Sequence, residues 1–393
     1  MHSQAMETEQ STRNFLLGQV ESIQDVIAAQ VENEEKAGHL SKESSDALHQ
    51  AGLTKMKLPR SLGGFEADLV TQFEVLEALA KINASVAWCA MVGGTGLGMP
   101  GGFLPDGGIK KMFANGNAPK TAIVIMPTGK ADPVEGGYQL SGRWGFASGV
   151  HHAEWVSAHV MVTKEPQSPP SLFMFSFPAS EIEIHNNWQV LGLRGTGSCD
   201  ISVENLFVPN DCVWEVGVQA PQRGGPLYEL GIPAFVAYEH AAFALGVARR
   251  ALDSFTQTAI KKKRGYGPDA KGLGDRDTVL RFIGRSDLAL RSARQLAIEL
   301  NQQAMDTIES GQPIGTQLAI EIRAIATYCT EVAADIVSEA LRYSGAGSIY
   351  EKSDMQRYLR DINVAAQHLM VSDISYELLG KYHLGDTDIS PMA

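Results

Sequence analysis

The sequence predicts an α+β chain in three parts: an N-terminal α-helical domain, a small central β-barrel and a C-terminal bundle of four long helices. Three observations carry this prediction. Apolar residues recur at helical spacing in the first hundred residues. Six short alternating runs, separated by turn residues, lie between Lys120 and Phe207. From about Ile232 onward the chain reads as four helical segments longer than the ~10–14 residues usual in globular proteins. The expected domains are 1–118, 119–220 and 221–393, in keeping with two or three units for 393 residues.

The first helix is expected from Ser11 to Ala37, where Phe15, Leu16, Val20, Ile23, Val26 and Ile27 form the apolar stripe and Gly38 is a stop. A short helix follows from Ser41 to His49, with Ser41 as N-cap. Leu69–Ala80 and Ala84–Val92 read as two more, and GGTGLGMPGGF after them reads as a loop. The predicted strands are Thr121–Met126, Tyr138–Phe146, Glu154–Thr163, Leu172–Ser176, Ile182–His185 and Cys199–Phe207. The four long helical segments are Ile232–Thr258, Asp275–Ser310, Pro313–Tyr343 and Asp354–Leu379, the last a candidate for a break.

Composition narrows the function classes. Hydrophobic residues make up 44% and charged residues 20%, as in an ordinary globular chain. A net charge of −12 argues against nucleic acid and anionic membrane as partners. The four cysteines, at 89, 199, 212 and 329, form no C-x-x-C pair and have no histidine at zinc-finger spacing, so neither a disulfide framework nor a metal site is expected. With no signal pattern in MHSQAMETEQSTRN and no apolar run of ~18 residues, a reducing cytoplasm is the expected home.

The chemistry gathers on Gly136–Trp155, GGYQLSGRWGFASGVHHAEW. Tyr138, Leu140 and Gly142 alternate with polar neighbours, as on a half-buried strand. Trp144, Phe146 and Trp155 supply flat apolar surface, and Gly145, Ala147, Ser148 and Gly149 leave room for a planar ring to approach the backbone. A tightly bent sheet core reads equally well from these residues alone. His151 and His152 follow directly, and alternation sends only one of them toward such a site.

Three motifs in this order resemble the acyl-CoA dehydrogenase superfamily: AIVIMPTGKADPVEGGYQLSGRWGFASG, LGLRGTGSCDISVENLFVP and RYSGAGSIYEKSDMQRYLRD. The resemblance runs from about Glu34 to about Tyr382 and implies a flavin between the β-domain and the bundle. By that likeness Phe146 lies against the isoalloxazine ring, Ser148 hydrogen-bonds near its N5, and Trp144, a further cofactor contact, helps with Phe146 and Trp88 to keep the site dry. Arg264 and Tyr266 in KRGYG resemble an Arg-plus-aromatic motif that reaches a neighbouring subunit's flavin diphosphate, for which a guanidinium fork is suited. Gly345 and Gly347 would let backbone approach the same cofactor. A homotetramer is implied, because a cross-subunit contact needs at least two copies.

One departure redirects the chemistry. The superfamily's dehydrogenases need a carboxylate base, in many members within a Glu-Gly-Thr motif after the Arg-Asp helix. Here that region reads RDINVAAQHLMVSD, without such a Glu, and Glu239 on the first bundle helix is out of register for the alternative position. What stands there is His368, whose ordinary pKa near neutrality suits proton transfer. With SGRWGFASGVHHAEW this resembles the group D, two-component flavin monooxygenases, oxygenases of hydroxyphenylacetate, steroid-derived phenols, dibenzothiophene and indoles. The resemblance implies reduced flavin (FADH2 or reduced FMN) from an NAD(P)H-dependent reductase, O2, and a flavin C4a-hydroperoxide that hydroxylates a phenol- or indole-like substrate. His368 would accept the substrate proton or donate to the peroxide, and Ser148 would guard N5. Trp88, Phe235, Tyr238 and His240 are the expected substrate contacts. The alternatives are an acyl-CoA oxidising enzyme, an N-oxidising amino-sugar monooxygenase and an inactive flavin binder.

Overall fold

The computed structural model describes residues 2–164, 168–264 and 271–392. Packing divides the chain into two compact units. One comprises Met1–Asp68, Trp88–Val190 and Arg194–Glu229, and the other Leu69–Ala87, Leu191–Leu193 and Leu230–Ala393. The expected boundaries near 118 and 220 mark changes of secondary structure, whereas these units are drawn by packing.

In the first unit, α1 (His2–Ala37) buries Leu16, Val20, Ile23 and Ile27 at helical spacing, while Phe15 and Val26 of the expected stripe are exposed. In α2 (Lys42–Gln50), Ser41 is the N-cap, and its hydroxyl accepts from the Ser44 N–H at 3.1 Å. The predicted loop GGTGLGMPGGF is a correction. With α3 spanning Leu69–Ile82, α4 runs unbroken over Ala84–Phe103. Its glycines are there for close packing rather than for turns. A Cβ on Gly98 would lie 2.6 Å from Lys57 Cβ, and one on Gly102 would lie 2.3 Å from Tyr228 Cε1. The short α5 (Asp106–Met112) follows.

The sheet contains β1 (Thr121–Val134), β2 (Gly137–Ala147), β3 (Trp155–Val162), β4 (Ser171–Pro178), β5 (Glu183–His185), β6 (Cys199–Pro209) and β7 (Val213–Glu215), in the order β5-β6-β2-β1-β3-β4-β7. The six predicted strands are present, and β7 is an addition too short for alternation to reveal. β1 pairs in parallel with β3 up to Val124, passes an irregularity before Gly129, then pairs antiparallel with β2 from Lys130. This long strand with its bulge lets one sheet bend over a single core. The sheet is bent rather than closed, since β5 and β7 remain its ends.

Trp144 fills that core. It is fully buried, its indole N–H donates to the His159 carbonyl at 3.0 Å, and a Cβ on Gly129 would meet its ring at 2.1 Å. Trp144 as part of a wall for a flat ligand is therefore overturned. Alternation with Tyr138 and Leu140 carries it inward, where its large apolar ring is the filler of the bend.

In the second unit, α6 (Ala237–Lys261), α7 (Asp277–Glu309), α8 (Thr316–Ser344) and α9 (Asp354–Ala365) match the four expected segments, and α3 packs with them. α6 begins five residues later than expected, after a cis peptide bond between Ile232 and Pro233. Gly246 admits the backbone of α3, because a Cβ there would lie 2.5 Å from the Glu77 carbonyl oxygen. Arg294 on α7 reaches Glu74 and Glu77 at 3.0 and 2.9 Å. Two short strands, β8 (Lys263–Arg264) and β9 (Lys271–Gly272), pair after α6. The last segment is broken: α9 ends at Ala365, a 3₁₀ turn spans Leu369–Val371, and α10 covers Ile374–His383. No helix among the described residues is long and apolar enough to cross a membrane.

The α4 packing has a measurable consequence. Gly102→Ala should destabilise the protein by ~1–3 kcal/mol through overpacking against the enclosed Tyr228 ring. Urea titration should show a lower midpoint with an unchanged slope, and an unaltered midpoint would contradict this account of the helix.

Candidate functional site

The site residues of the first unit hang on a bulge in β2. Pairing with β6 shifts register between Trp144 and Ala147. At the bulge Phe146 adopts φ +64°, a left-handed conformation rare outside glycine. Continued alternation would place Phe146 on the inner face with Trp144. The bulge instead turns it outward, and it is 71% exposed. Its ring meets Trp188 edge to face at 6.0 Å. Phe146 thus offers a flat apolar face to solvent, and Trp188 beside it is a residue that sequence reading missed.

Two residues on, Ser148 is buried and at the centre of a hydroxyl chain. Its Oγ accepts from the Trp88 indole N–H at 3.2 Å and lies 2.7 Å from Ser198 Oγ, which lies 2.7 Å from Thr196 Oγ1. The Gly149 N–H donates to the Thr196 carbonyl at 2.8 Å, with Gly149 at φ +76°. A hydroxyl has one proton and two lone pairs. Trp88 occupies one lone pair and Ser198 either the proton or the other lone pair, so Ser148 keeps one further position to donate from or accept at. Trp88 thus emerges as the partner of Ser148. Ser198 and Thr196 were missed, although they lie inside the quoted motif LGLRGTGSCD.

The paired histidines diverge, as alternation suggested, but on a 3₁₀ turn (Val150–His152) instead of a strand. The His151 ring lies 4.8 Å from that of His39, with Nε2 3.4 Å from Cys199 Sγ. The Nδ1 of His152 is enclosed beside a small cavity lined by Ser45, His49, Thr54, Cys89, Lys120 and Thr121. Burial, reinforced by the Lys120 ammonium, pushes its pKa down to about 4.

In the second unit the helix break positions His368. It N-caps the 3₁₀ turn, and its Nδ1 accepts from the Met370 N–H at 3.3 Å. Burial lowers its pKa to about 4, so the ring is neutral near pH 7. With Nδ1 accepting, the proton resides on Nε2 and the ring is a donor there. The His240 ring, in the first turn of α6, stacks on it at 4.3 Å and 29°. Two imidazoles this close disfavour a second positive charge. Tyr238 is fully buried and donates to Gln72 Oε1 at 2.5 Å, and Phe235 is buried just before α6.

Two of the quoted motifs meet here. The Asp361 carboxylate accepts from the Leu193 N–H at 2.7 Å, and Arg360 donates to the Leu191 carbonyl at 2.7 Å. A Cβ on Gly192 would lie 2.3 Å from the Arg360 backbone, so this position must be glycine. Gly345 ends α8 at φ +81°, and Gly347 lies in the following 3₁₀ turn with open space where a Cβ would stand. Arg264 belongs to β8, whereas Tyr266 lies outside the described residues.

Comparison with known proteins gives the family. The acyl-CoA dehydrogenase N-terminal domain matches residues 10–103, and the acyl-CoA dehydrogenase C-terminal domain matches residues 238–373. The chain belongs to the acyl-CoA dehydrogenase family. Within it, the chain is 28% identical to an indole-3-acetate monooxygenase of Pseudomonas putida over 350 residues, 88% of each chain. It is 24% identical to the flavin-dependent monooxygenase oxygenase subunit HsaA of Rhodococcus jostii over 83% of this chain and 86% of that one. The fold matches XiaF from Streptomyces sp., solved with FADH2 and glycerol, at a TM-score of 0.89 and 24% identity, covering 98% and 99% of the two chains.

The two depressed histidines set an acid sensitivity. Unfolded, each titrates near 6.5, and folded near 4. Between these values the unfolded chain binds protons that the native protein refuses. Stability should therefore be constant above about pH 6.5 and fall on acidification, by ~1.4 kcal/mol per pH unit for each group down to about pH 4. Urea midpoints at pH 7.5, 6 and 5 should show this decline, and a flat profile would rule it out.

Proposed function

We propose that this chain is the oxygenase component of a two-component flavin-dependent monooxygenase that hydroxylates an aromatic or heteroaromatic small molecule, phenol- or indole-like. The observation that carries the reading is His368. A neutral imidazole with its proton on Nε2 stands in the segment where the family's dehydrogenases carry a carboxylate base. A neutral imidazole donor serves oxygen transfer better than abstraction of a substrate α-proton. The indole-3-acetate monooxygenase and the HsaA oxygenase subunit support the same reaction class.

The residues present fit a flavin. In the first unit Phe146 offers an outward aromatic face and Ser148 keeps one hydrogen-bonding position for the N5 edge; in the second, Gly347 has open space beside its backbone, and Gly345 is the other expected cofactor contact. Arg264 and Tyr266 are assigned to the diphosphate. Reduced flavin, as FADH2 or reduced FMN, supplies the activated oxygen when bound, and the FADH2 complex of XiaF and the FMN complex of TdsC support a flavin of either kind. The protein's own part is to orient and protect. The Thr196–Ser198–Ser148 chain, closed by Trp88, fixes the Ser148 hydroxyl. Phe235, Tyr238 and the His240 ring present a substrate pocket wall, and His368 donates from Nε2 toward the oxygen being transferred. The flavin comes from an NAD(P)H-dependent reductase, and the working form is a cytoplasmic homotetramer.

The purified protein should be nearly colourless and should consume O2 only with a reductase, NAD(P)H and flavin. A yellow preparation bleached by an acyl-CoA would overturn the assignment. His368→Ala should lower product formation on the order of 100-fold while O2 consumption continues as H2O2 release. Unchanged product would remove His368 from the mechanism. Ser148→Ala should shift O2 use from product to H2O2 by several-fold, roughly the value of one well-placed hydrogen bond. A wild-type product-to-peroxide ratio would refute the role of Ser148.

A further inference from the structure

The break after α9 creates a problem that α8 solves. Between Ala366 and Asp373 the chain leaves the α-helical ladder, so carbonyls there lack the usual i+4 partner and need other donors. Residues 323, 327 and 331 of α8 are one turn apart and share a face. Arg323, 4% exposed, donates through Nη2 to the Leu369 carbonyl at 3.2 Å, and through Nη1 to the Pro391 carbonyl at 2.9 Å. Thr327 Oγ1 lies 2.8 Å from Ser375 Oγ and 3.3 Å from both the Ser372 carbonyl and the Arg323 carbonyl of its own helix. Tyr376 donates to the Glu331 carboxylate at 2.8 Å. Every rung reaches the eight residues after His368. His368 is bonded to that same segment, through Met370 N–H to its Nδ1 and Val371 N–H to its carbonyl at 3.0 Å.

We propose that Arg323, Thr327 and Glu331 are positioning residues for His368, holding the Leu369–Tyr376 segment so that the imidazole keeps Nδ1 on Met370 and presents Nε2–H. The inference rests on the monooxygenase reading for its catalytic consequence. The rungs differ in chemistry for a reason. A guanidinium fork serves two carbonyls at once, which a lysine ammonium on a single stem does less well. Thr327 sits at the middle rung, where one hydroxyl joins a carbonyl and a second hydroxyl. A misplacement of the ring by about 1 Å is sufficient to cost large factors in rate.

Thr327→Val keeps the shape and deletes the hydroxyl, and Thr327→Ser keeps the hydroxyl. In Thr327→Val the amides of Met370 and Val371 should exchange about tenfold faster while those in the middle of α8 stay unchanged. In the same variant product formed per O2 should fall about fivefold, the balance appearing as H2O2. Thr327→Ser should restore both readings to within about twofold. Wild-type exchange and coupling in Thr327→Val would overturn the proposal, as would equal losses in the Val and Ser variants. If the monooxygenase reading itself is wrong, the wild-type protein will form no hydroxylated product with a reductase, NAD(P)H, flavin and O2. The exchange comparison still decides in that case whether the α8 ladder sets the histidine's segment.

Discussion

The bulge in β2 between Trp144 and Ala147 is the constraint on which the first unit depends. A strand sends alternate side chains to one face, and without an extra residue Phe146 would follow Trp144 into the core. The bulge reverses that assignment and costs Phe146 a left-handed backbone. The same displacement starts the turn Ser148–Gly149, which brings a serine hydroxyl beneath the Trp88 indole and beside Ser198. A core filler and an outward aromatic face are thus supplied by neighbouring residues of one strand because the ladder is interrupted between them.

The second unit uses an interruption of the other regular structure. A continuous helix through residue 368 would spend the backbone of that turn on its own ladder. The break instead lets the Met370 N–H bind an imidazole nitrogen, which fixes the tautomer. Burial then keeps the ring neutral, with the His240 ring stacked on it. The freed carbonyls need donors, and a buried arginine and a threonine on α8 supply them. Irregular backbone at this point is supported at the Leu369 and Ser372 carbonyls by a long helix.

Much of this was legible in the sequence, in unequal measure. The order of helical, β and long-helix regions followed from hydrophobic period, because period reflects which face is buried. The positions of Ser148 and His368 came from motif resemblance. Failures clustered where glycine has two meanings. GGTGLGMPGGF has loop composition, yet it is helical because its glycines admit Lys57 and Tyr228. Trp144 and Phe146 are two apart and looked like one wall, since a bulge leaves no mark in alternation. Ser198 and Thr196 carried no signal alone, as serine and threonine in a glycine turn are ordinary.

By itself the sequence determined the class of fold, the family, and the absence of a Glu from the segment RDINVAAQHLMVSD that holds His368, all properties of residue type and order along the chain. Only the tertiary structure decided which aromatic ring is core and which is site, which hydroxyls join Ser148, and which nitrogen of His368 holds the proton. Each of those depends on distances of about 3 Å between groups tens to hundreds of residues apart, or on one local departure from regular hydrogen bonding. Neither is written in periodicity, because periodicity reports a face and not a partner.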